Sequence, residues 1–324
     1  MKTELKTNLS KNKTLLILSF ISILLGLIAC LLGELIVPLL VGVLSVIYLF
    51  EGKTKPPFGI SVSLILLVLN VGSVIIGLSV SLFAPAAIIL SLILASAFRK
   101  GNSKADAAYV MTIIAALLSL LGYLLFAMLE RQIFSFDAAF EYYAVFIENL
   151  RPVFVDTMTD IYTASGVKVT AEIIDQVYTQ QINLIISYFL ITAFAMVGIG
   201  MKLFSAITRR LSYDSYSIEK WSFGATRVYG YFYLLLVILS LFTADANSVF
   251  SVVVLNLYSF FMIVFAYVGF KTVREILAVK MKPAFATLVI IAVLIVFASF
   301  GAQILAALGV LYSVRIYETT FTKQ

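Results

Sequence analysis

The chain has no histidine and a single cysteine, Cys30, among its 324 residues. Histidine is the commonest general base and a frequent metal ligand, and one cysteine alone forms neither an internal disulfide nor a thiolate metal site. The sequence also lacks a Gly-x-Ser-x-Gly nucleophile elbow, a phosphate-binding loop and a His-Glu-x-x-His motif. We therefore expect no catalytic residues, no metal site and no cofactor, and we interpret the protein as a non-enzyme.

Charge is also scarce, because charged residues make up 12% of the chain and hydrophobic residues 62%. A soluble domain carries about 25% charged residues, and a helix needs about 20 apolar residues to cross a bilayer. The composition predicts an all-α, polytopic transmembrane helical bundle with about nine or ten crossings. The uncharged windows are residues 14–32, 35–50, 58–98, 107–129, 182–201, 228–244, 246–270 and 283–314.

Two of these windows are longer than one crossing. Residues 58–98 are long enough for two helices, and Pro85 marks the predicted turn between them. Residues 283–314 are either one long tilted helix or two short helices that are separated at Gly301.

Lysine and arginine are concentrated in alternate linkers. If the N-terminus is cytoplasmic, the outer segments carry only Arg131, Arg151 and Lys168, and the inner segments carry most of the other basic residues. This bias predicts a multi-pass protein of the bacterial cytoplasmic membrane with its N-terminus in the cytoplasm. Since the basic residues lie in linkers, the net charge of +6 indicates contact with the lipid bilayer and no nucleic-acid partner.

The long outer segment, 131–182, separates two groups of membrane helices, so we divide the chain into 1–130 with about five spans, 131–182, and 183–324 with four or five spans. The segment is predicted to form two or three amphipathic helices that make a small extracytoplasmic cap. Thr170 is a predicted N-cap, with an apolar face made by Ile173, Ile174 and Val177. The cap either closes over a binding site or shields the ends of the membrane helices.

Ionisable residues are almost missing from the predicted spans. Glu34, Asp245 and Lys202 all lie near predicted span ends. Proton-coupled transport needs ionisable groups deep in the membrane. The pattern therefore disfavours a proton relay.

Neutral polar residues do occur in the middle of the spans, and an amide in hydrocarbon needs a hydrogen-bond partner. Such amides either bond one helix to another or serve as polar contacts for a small ligand. On the second interpretation the candidate substrate-binding residues are Asn70, Asn256, Gln303 and Tyr258.

Small residues mark places where helix backbones can approach closely. The first span carries Ser22-x-x-x-Gly26 and Ala29-x-x-x-Gly33, and later helices carry Gly72, Gly77, Gly198 and Gly200.

Three stretches together resemble the YybS-like family of bacterial membrane proteins. They are Ala84-Pro85 opening a short helix that ends in Arg99-Lys100-Gly101, the outer segment with Gly166 that leads into residues 183–203, and the closing Ile304-Leu305-Ala306-Ala307-Leu308-Gly309. That family is distantly similar to the substrate-binding components of energy-coupling-factor vitamin transporters. Those components are small helical bundles that capture a vitamin from outside and act with a shared ATPase module.

The resemblance implies an outward-facing pocket beneath the outer cap, a vitamin-like substrate, and a separate ATPase module or another membrane subunit as partner. The missing phosphate loop agrees with a chain that has no ATPase of its own. The chain differs from such components in having more than the usual six spans. We therefore predict a transporter-like component that binds a small molecule, with a ligand-free membrane scaffold or assembly protein as the alternative.

Overall fold

The computed structural model describes the backbone of residues 2–51, 57–77, 81–132, 134–211, 217–218, 221, 223, 226–243 and 248–321. Asp245 lies outside these residues. The structure is 89% helical, and the part of the chain that it describes contains no strand. The predicted all-α class is confirmed.

Helices follow one another along the chain with short connections. A 3₁₀ turn, Gly33–Ile36, joins the first two. The described residues contain eleven α-helices: α1 (Lys2–Leu32), α2 (Val37–Glu51), α3 (Pro57–Ile75), α4 (Phe83–Arg99), α5 (Lys104–Arg131), α6 (Phe136–Ala164), α7 (Ala171–Asn183), α8 (Ile185–Arg210), α9 (Arg227–Ser240), α10 (Val249–Ala278) and α11 (Pro283–Phe321).

Five helical segments are long and apolar enough to cross a membrane: Asn12–Glu51, Phe58–Ile75, Lys104–Arg131, Ile185–Arg210 and Val249–Ala278. Shorter apolar helices cover Phe83–Arg99, Arg227–Ser240, Pro283–Phe297 and Phe300–Val314. Because these segments have the length and composition of membrane-spanning helices, the chain is a multi-pass membrane protein. The larger number of crossings expected from the sequence stays a prediction.

The chain forms two compact units, Met1–Asn149 with Thr192–Ser222 and Leu150–Ile191 with Phe223–Gln324. In the first unit α2 is central: it packs on α1 and α4, and Leu40, Leu44 and Ile47 are fully buried. In the second unit α10 packs along α11, with Phe265 fully buried. The division at residues 130 and 182 that the sequence suggests stays a prediction.

Residues 58–98 form two helices as predicted, but the position assigned to the turn was wrong. The turn precedes Phe83, and Pro85 lies in the first turn of α4. Proline is tolerated there because the first backbone N–H groups of a helix have no partner within the helix. Proline at this place marks a helix start and not the connection before it.

The outer segment contains α6 and α7. The predicted cap of α7 is confirmed, because the Thr170 side chain accepts a hydrogen bond from the backbone N–H of Ile173 at 3.4 Å. The predicted apolar face was only partly right. Ile174 and Tyr178 are buried, whereas Ile173 and Val177 are exposed.

The last helix, α11, bends sharply near Gly301. A Cβ added to Gly301 would lie 3.4 Å from the Cα of Leu294, whereas seven residues of straight helix span about 10 Å. The helix therefore changes direction between Leu294 and Gly301, and the choice between one span and two stays a prediction.

Candidate functional site

Asn70 bonds two connected helices of the first unit. It lies on α3 and is buried; its Nδ2 donates to the backbone oxygen of Ser81 at 2.8 Å, and its Oδ1 accepts from the backbone N–H of Ala84 at 3.3 Å. Ala84 is in the first turn of α4, and Leu82, the residue before that helix, provides no side-chain cap. Asn70 therefore supplies from α3 the cap that α4 lacks.

Asn256 has the same role in the second unit. It is buried on α10; its Oδ1 accepts from the backbone N–H of Ser187 at 2.7 Å, and its Nδ2 donates to the backbone oxygen of Asn183 at 2.5 Å. Asn183 ends α7 and Ser187 lies in the first turn of α8. One side chain thus satisfies a carbonyl at the end of one helix and an amide at the start of the next.

The other two predicted binding residues have different surroundings. Gln303 is exposed on α11. Tyr258 is half-buried and stacks on Tyr233 with a ring-centroid distance of 5.8 Å. The bonds of Asn70 and Asn256 support the structural interpretation that the sequence left open, and the assignment of these four residues to a substrate site stays a prediction.

A cavity in the first unit has a volume of about 700 Å³, within the range of small-molecule sites. It lies where α1 ends, α5 ends and α6 begins, and α8 contributes Thr192 and Met196. Aromatic side chains of α5 and α6 dominate its walls: Tyr123, Phe126, Tyr142, Tyr143 and Phe146.

Glu34 lies at the inner end of this cavity. Gly33 follows α1 and begins the 3₁₀ turn with a positive φ of 57°, a conformation that favours glycine, and Glu34 is the next residue of that turn. Glu34 also lines a second, narrow cavity of about 20 Å³ between α2, α4, α5 and α8, which we call the extension because Glu34 and Met196 line both cavities. Its Oε2 accepts a hydrogen bond from the hydroxyl of Ser119 at 3.2 Å.

The tyrosines on α6 are held in place by α5. The Tyr143 hydroxyl donates to the backbone oxygen of Tyr123 at 2.8 Å, and the Tyr142 hydroxyl donates to Glu130 at 3.1 Å. Burial raises the pKa of the Tyr143 phenol, which keeps it protonated as a donor. Ala139 packs into the buried cluster at the end of α5, so this wall of the cavity is tied to a buried core.

A smaller cavity in the second unit, about 260 Å³, is lined by aliphatic residues of α10 and α11 together with Phe297 and Gly301. None of the described residues that line it has a polar side chain. Sites for small molecules combine apolar walls with a few polar groups that fix orientation. The cavity of the first unit fits that description better.

The family described as "Predicted membrane protein (DUF2232)" matches residues 15–311. The chain belongs to this family. No curated protein and no solved structure matches it significantly.

Membership of DUF2232 agrees with the membrane helices and assigns no activity. The matched range includes every wall of the cavity in the first unit. Among the residues that the structure describes, no group of three or more acidic or cysteine side chains could hold a metal ion. The YybS-like name and the likeness to vitamin-transporter components stay predictions.

Sequence reasoning missed the cavity residues. That Glu34 lies near a span end stays a prediction, and in the structure it lies within the apolar helical segment Asn12–Glu51. The available signal was a glycine followed by a glutamate between two long apolar runs, with Tyr142 and Tyr143 adjacent in the outer segment.

Proposed function

We propose that this DUF2232 protein is a non-enzymatic membrane component that binds a small molecule in the cavity of its first unit. The cavity itself carries the proposal, because it combines the volume of a ligand site, aromatic walls and one carboxyl group. The N-terminus is cytoplasmic, so the cavity opens toward the outer side. A separate ATPase module or another membrane subunit supplies any energy for transport.

Filling the cavity tests this function. Thr192 is exposed and lines the cavity from α8, so Thr192→Trp places a large side chain where the ligand would bind. We expect a compound that co-purifies with the wild-type protein in mild detergent to fall about tenfold or more in the variant, which corresponds to about 1.4 kcal/mol of lost affinity. Untargeted mass spectrometry of extracts measures the occupancy.

Ile199→Trp is the matched control. Ile199 is exposed on the same helix and is not among the residues that line the cavity. The control should keep the bound compound. Equal retention by Thr192→Trp and wild type would contradict the cavity assignment.

The alternative, a scaffold or assembly protein with no ligand, is favoured by one observation. The amides chosen from the sequence as ligand contacts, Asn70 and Asn256, are both bonded to helix ends. A scaffold should carry only bulk phospholipid, and Thr192→Trp should then leave the set of co-purifying molecules unchanged.

The orientation is tested with cysteine labelling in bacterial cells. Cys30 is the sole cysteine, so Cys30→Ser gives a cysteine-free background for Lys168→Cys, between α6 and α7, and for Lys100→Cys, between α4 and α5. The charge bias predicts that a membrane-impermeant maleimide labels position 168 in intact cells and position 100 only after permeabilisation. The reverse pattern would place the N-terminus outside.

A further inference from the structure

The cavity of the first unit has a distinctive electrostatic character. Among the described residues that line the cavity and its narrow extension, Glu34 is the one charged side chain. Its surroundings in the extension are apolar, including Pro38, Val41 and Leu90. A carboxylate among apolar side chains is costly to keep without a charged partner or hydrogen bonds.

The hydrogen bond from Ser119 does not supply an opposite charge. A serine hydroxyl is a neutral donor, so it orients the carboxyl group without neutralising it. A positively charged ligand would supply the charge that the walls do not. A neutral or anionic ligand would leave the carboxylate uncompensated.

The aromatic walls suit the same ligand. The face of an aromatic ring attracts a cation within about 6 Å of its centroid. The protein already makes such a contact at this end of the unit, where the Arg131 guanidinium lies 4.9 Å from the centroid of the Tyr142 ring. Tyr123, Phe126 and Phe146 add further rings to the cavity.

A bare metal ion fits this site poorly. Calcium takes six to eight oxygen ligands in most proteins, and magnesium requires a near-octahedral set. The extension offers one carboxyl group and one hydroxyl, from Glu34 and Ser119, in an otherwise apolar lining. The volume of about 700 Å³ also suits an organic molecule better than an ion.

We propose that the ligand is a small organic cation, an amine or quaternary ammonium group on an apolar or aromatic body, with Glu34 as its counter-charge. This inference rests on the proposed function, since it assigns the ligand class to the same cavity. The cationic group lies against the Glu34 carboxylate at the inner end, and the apolar body lies between the aromatic side chains of α5 and α6.

The test compares wild type, Glu34→Gln and Glu141→Gln, each purified in mild detergent and reconstituted in lipid nanodiscs. Glutamine keeps the shape of the side chain and an oxygen that accepts the Ser119 hydrogen bond, so folding is preserved. Glu141 is an exposed carboxylate on α6 outside the cavity lining and serves as the control. The readouts are the charge and occupancy of the co-purifying compound and the calorimetric affinity for benzyltrimethylammonium, with 3-phenylpropanoate as the anionic probe.

We expect a cationic compound or the cationic probe to bind wild type and Glu141→Gln equally, and Glu34→Gln about tenfold or more weakly. Glu34→Asp, which keeps the charge on a shorter side chain, should bind better than Glu34→Gln. A bound compound that is neutral or anionic, or one that Glu34→Gln retains but Thr192→Trp loses, would overturn the cation assignment and leave the proposed function intact. If neither a compound nor a probe binds wild type, both proposals fail.

Discussion

Gly269→Ala is expected to destabilise the second unit by about 3 kcal/mol, at the upper end of the cost of overpacking. Gly269 on α10 and Gly309 on α11 lie at a close crossing of the two helix backbones. A Cβ at Gly269 would overlap the carbonyl oxygen of Leu305 and lie 2.8 Å from its carbonyl carbon. Because the obstacle is backbone, no side-chain rotation relieves the overlap, and the helices must move apart.

The reciprocal substitution follows from the same geometry. A Cβ at Gly309 would overlap the carbonyl oxygen of Phe265 and lie 2.9 Å from the backbone nitrogen of Gly269. Gly309→Ala should therefore cost a similar amount. The double variant should cost less than the sum, because the first alanine already separates the backbones.

Gly72→Ala is the matched control, since nothing lies within 4 Å of the Cβ that it adds. Alanine has a higher helix propensity than glycine by about 1 kcal/mol, so this variant should be neutral or slightly more stable. Thermal unfolding in detergent compares the three single variants. Equal midpoints for Gly269→Ala and Gly72→Ala would contradict the close crossing.

Only some of the glycines that the sequence predicts at close helix contacts lie at such contacts. Gly26 and Gly200 were expected at close contacts, and both lie against neighbouring helices. Gly72 and Gly198 were expected there as well, but they face open space. Spacing alone identifies which residues permit a close approach, whereas the approach itself depends on where the other helix lies.

The fold class could be read from the chain because hydrophobic length and capping are local properties. The uncharged windows predicted the helices, and Thr170 predicted the start of α7 from its own side chain. The starts of α4 and α8 were harder to predict from the sequence. The side chains that cap them, Asn70 and Asn256, lie on other helices. A leucine directly before the helix where a Ser, Thr, Asp or Asn cap is usual, together with an asparagine in another helix, is the sequence signal for such a cap.

The residues of the candidate site could not be predicted from the sequence, and the pocket implied by the family resemblance stays a prediction. The family resemblance implied a pocket beneath the outer segment, and the first unit has a cavity with Tyr142, Tyr143 and Phe146 of α6 in its wall. The residues escaped prediction because they come from four separate helices, the 3₁₀ turn and the connection before α4. Aromatic residues near span ends are also common as contacts of the membrane interface, so they carry no specific signal.

Asn256→Leu is expected to destabilise the second unit by about 2 kcal/mol or more, since each buried polar group left without a partner costs about 1–3 kcal/mol. Leucine can neither accept from the Ser187 amide nor donate to the Asn183 carbonyl. Both groups lie at helix ends, and the Asn256 side chain bonds each of them. The Ser187 hydroxyl, which donates to Asn256 Oδ1 at 2.9 Å, loses that acceptor too.

Gln303→Leu is the control, because it makes a comparable amide-to-leucine change at an exposed position on α11 of the same unit. Exposed substitutions usually change stability by about 0.5 kcal/mol or less. Thermal unfolding of the variants in detergent gives the stability, and mass spectrometry of bound compounds on the same samples gives ligand retention. Loss of the compound from Asn256→Leu at unchanged stability would support Asn256 as a ligand contact. Reduced stability with the compound retained assigns Asn256 to the junction of α7 and α8, where its amide bonds the end of one helix and the start of the next.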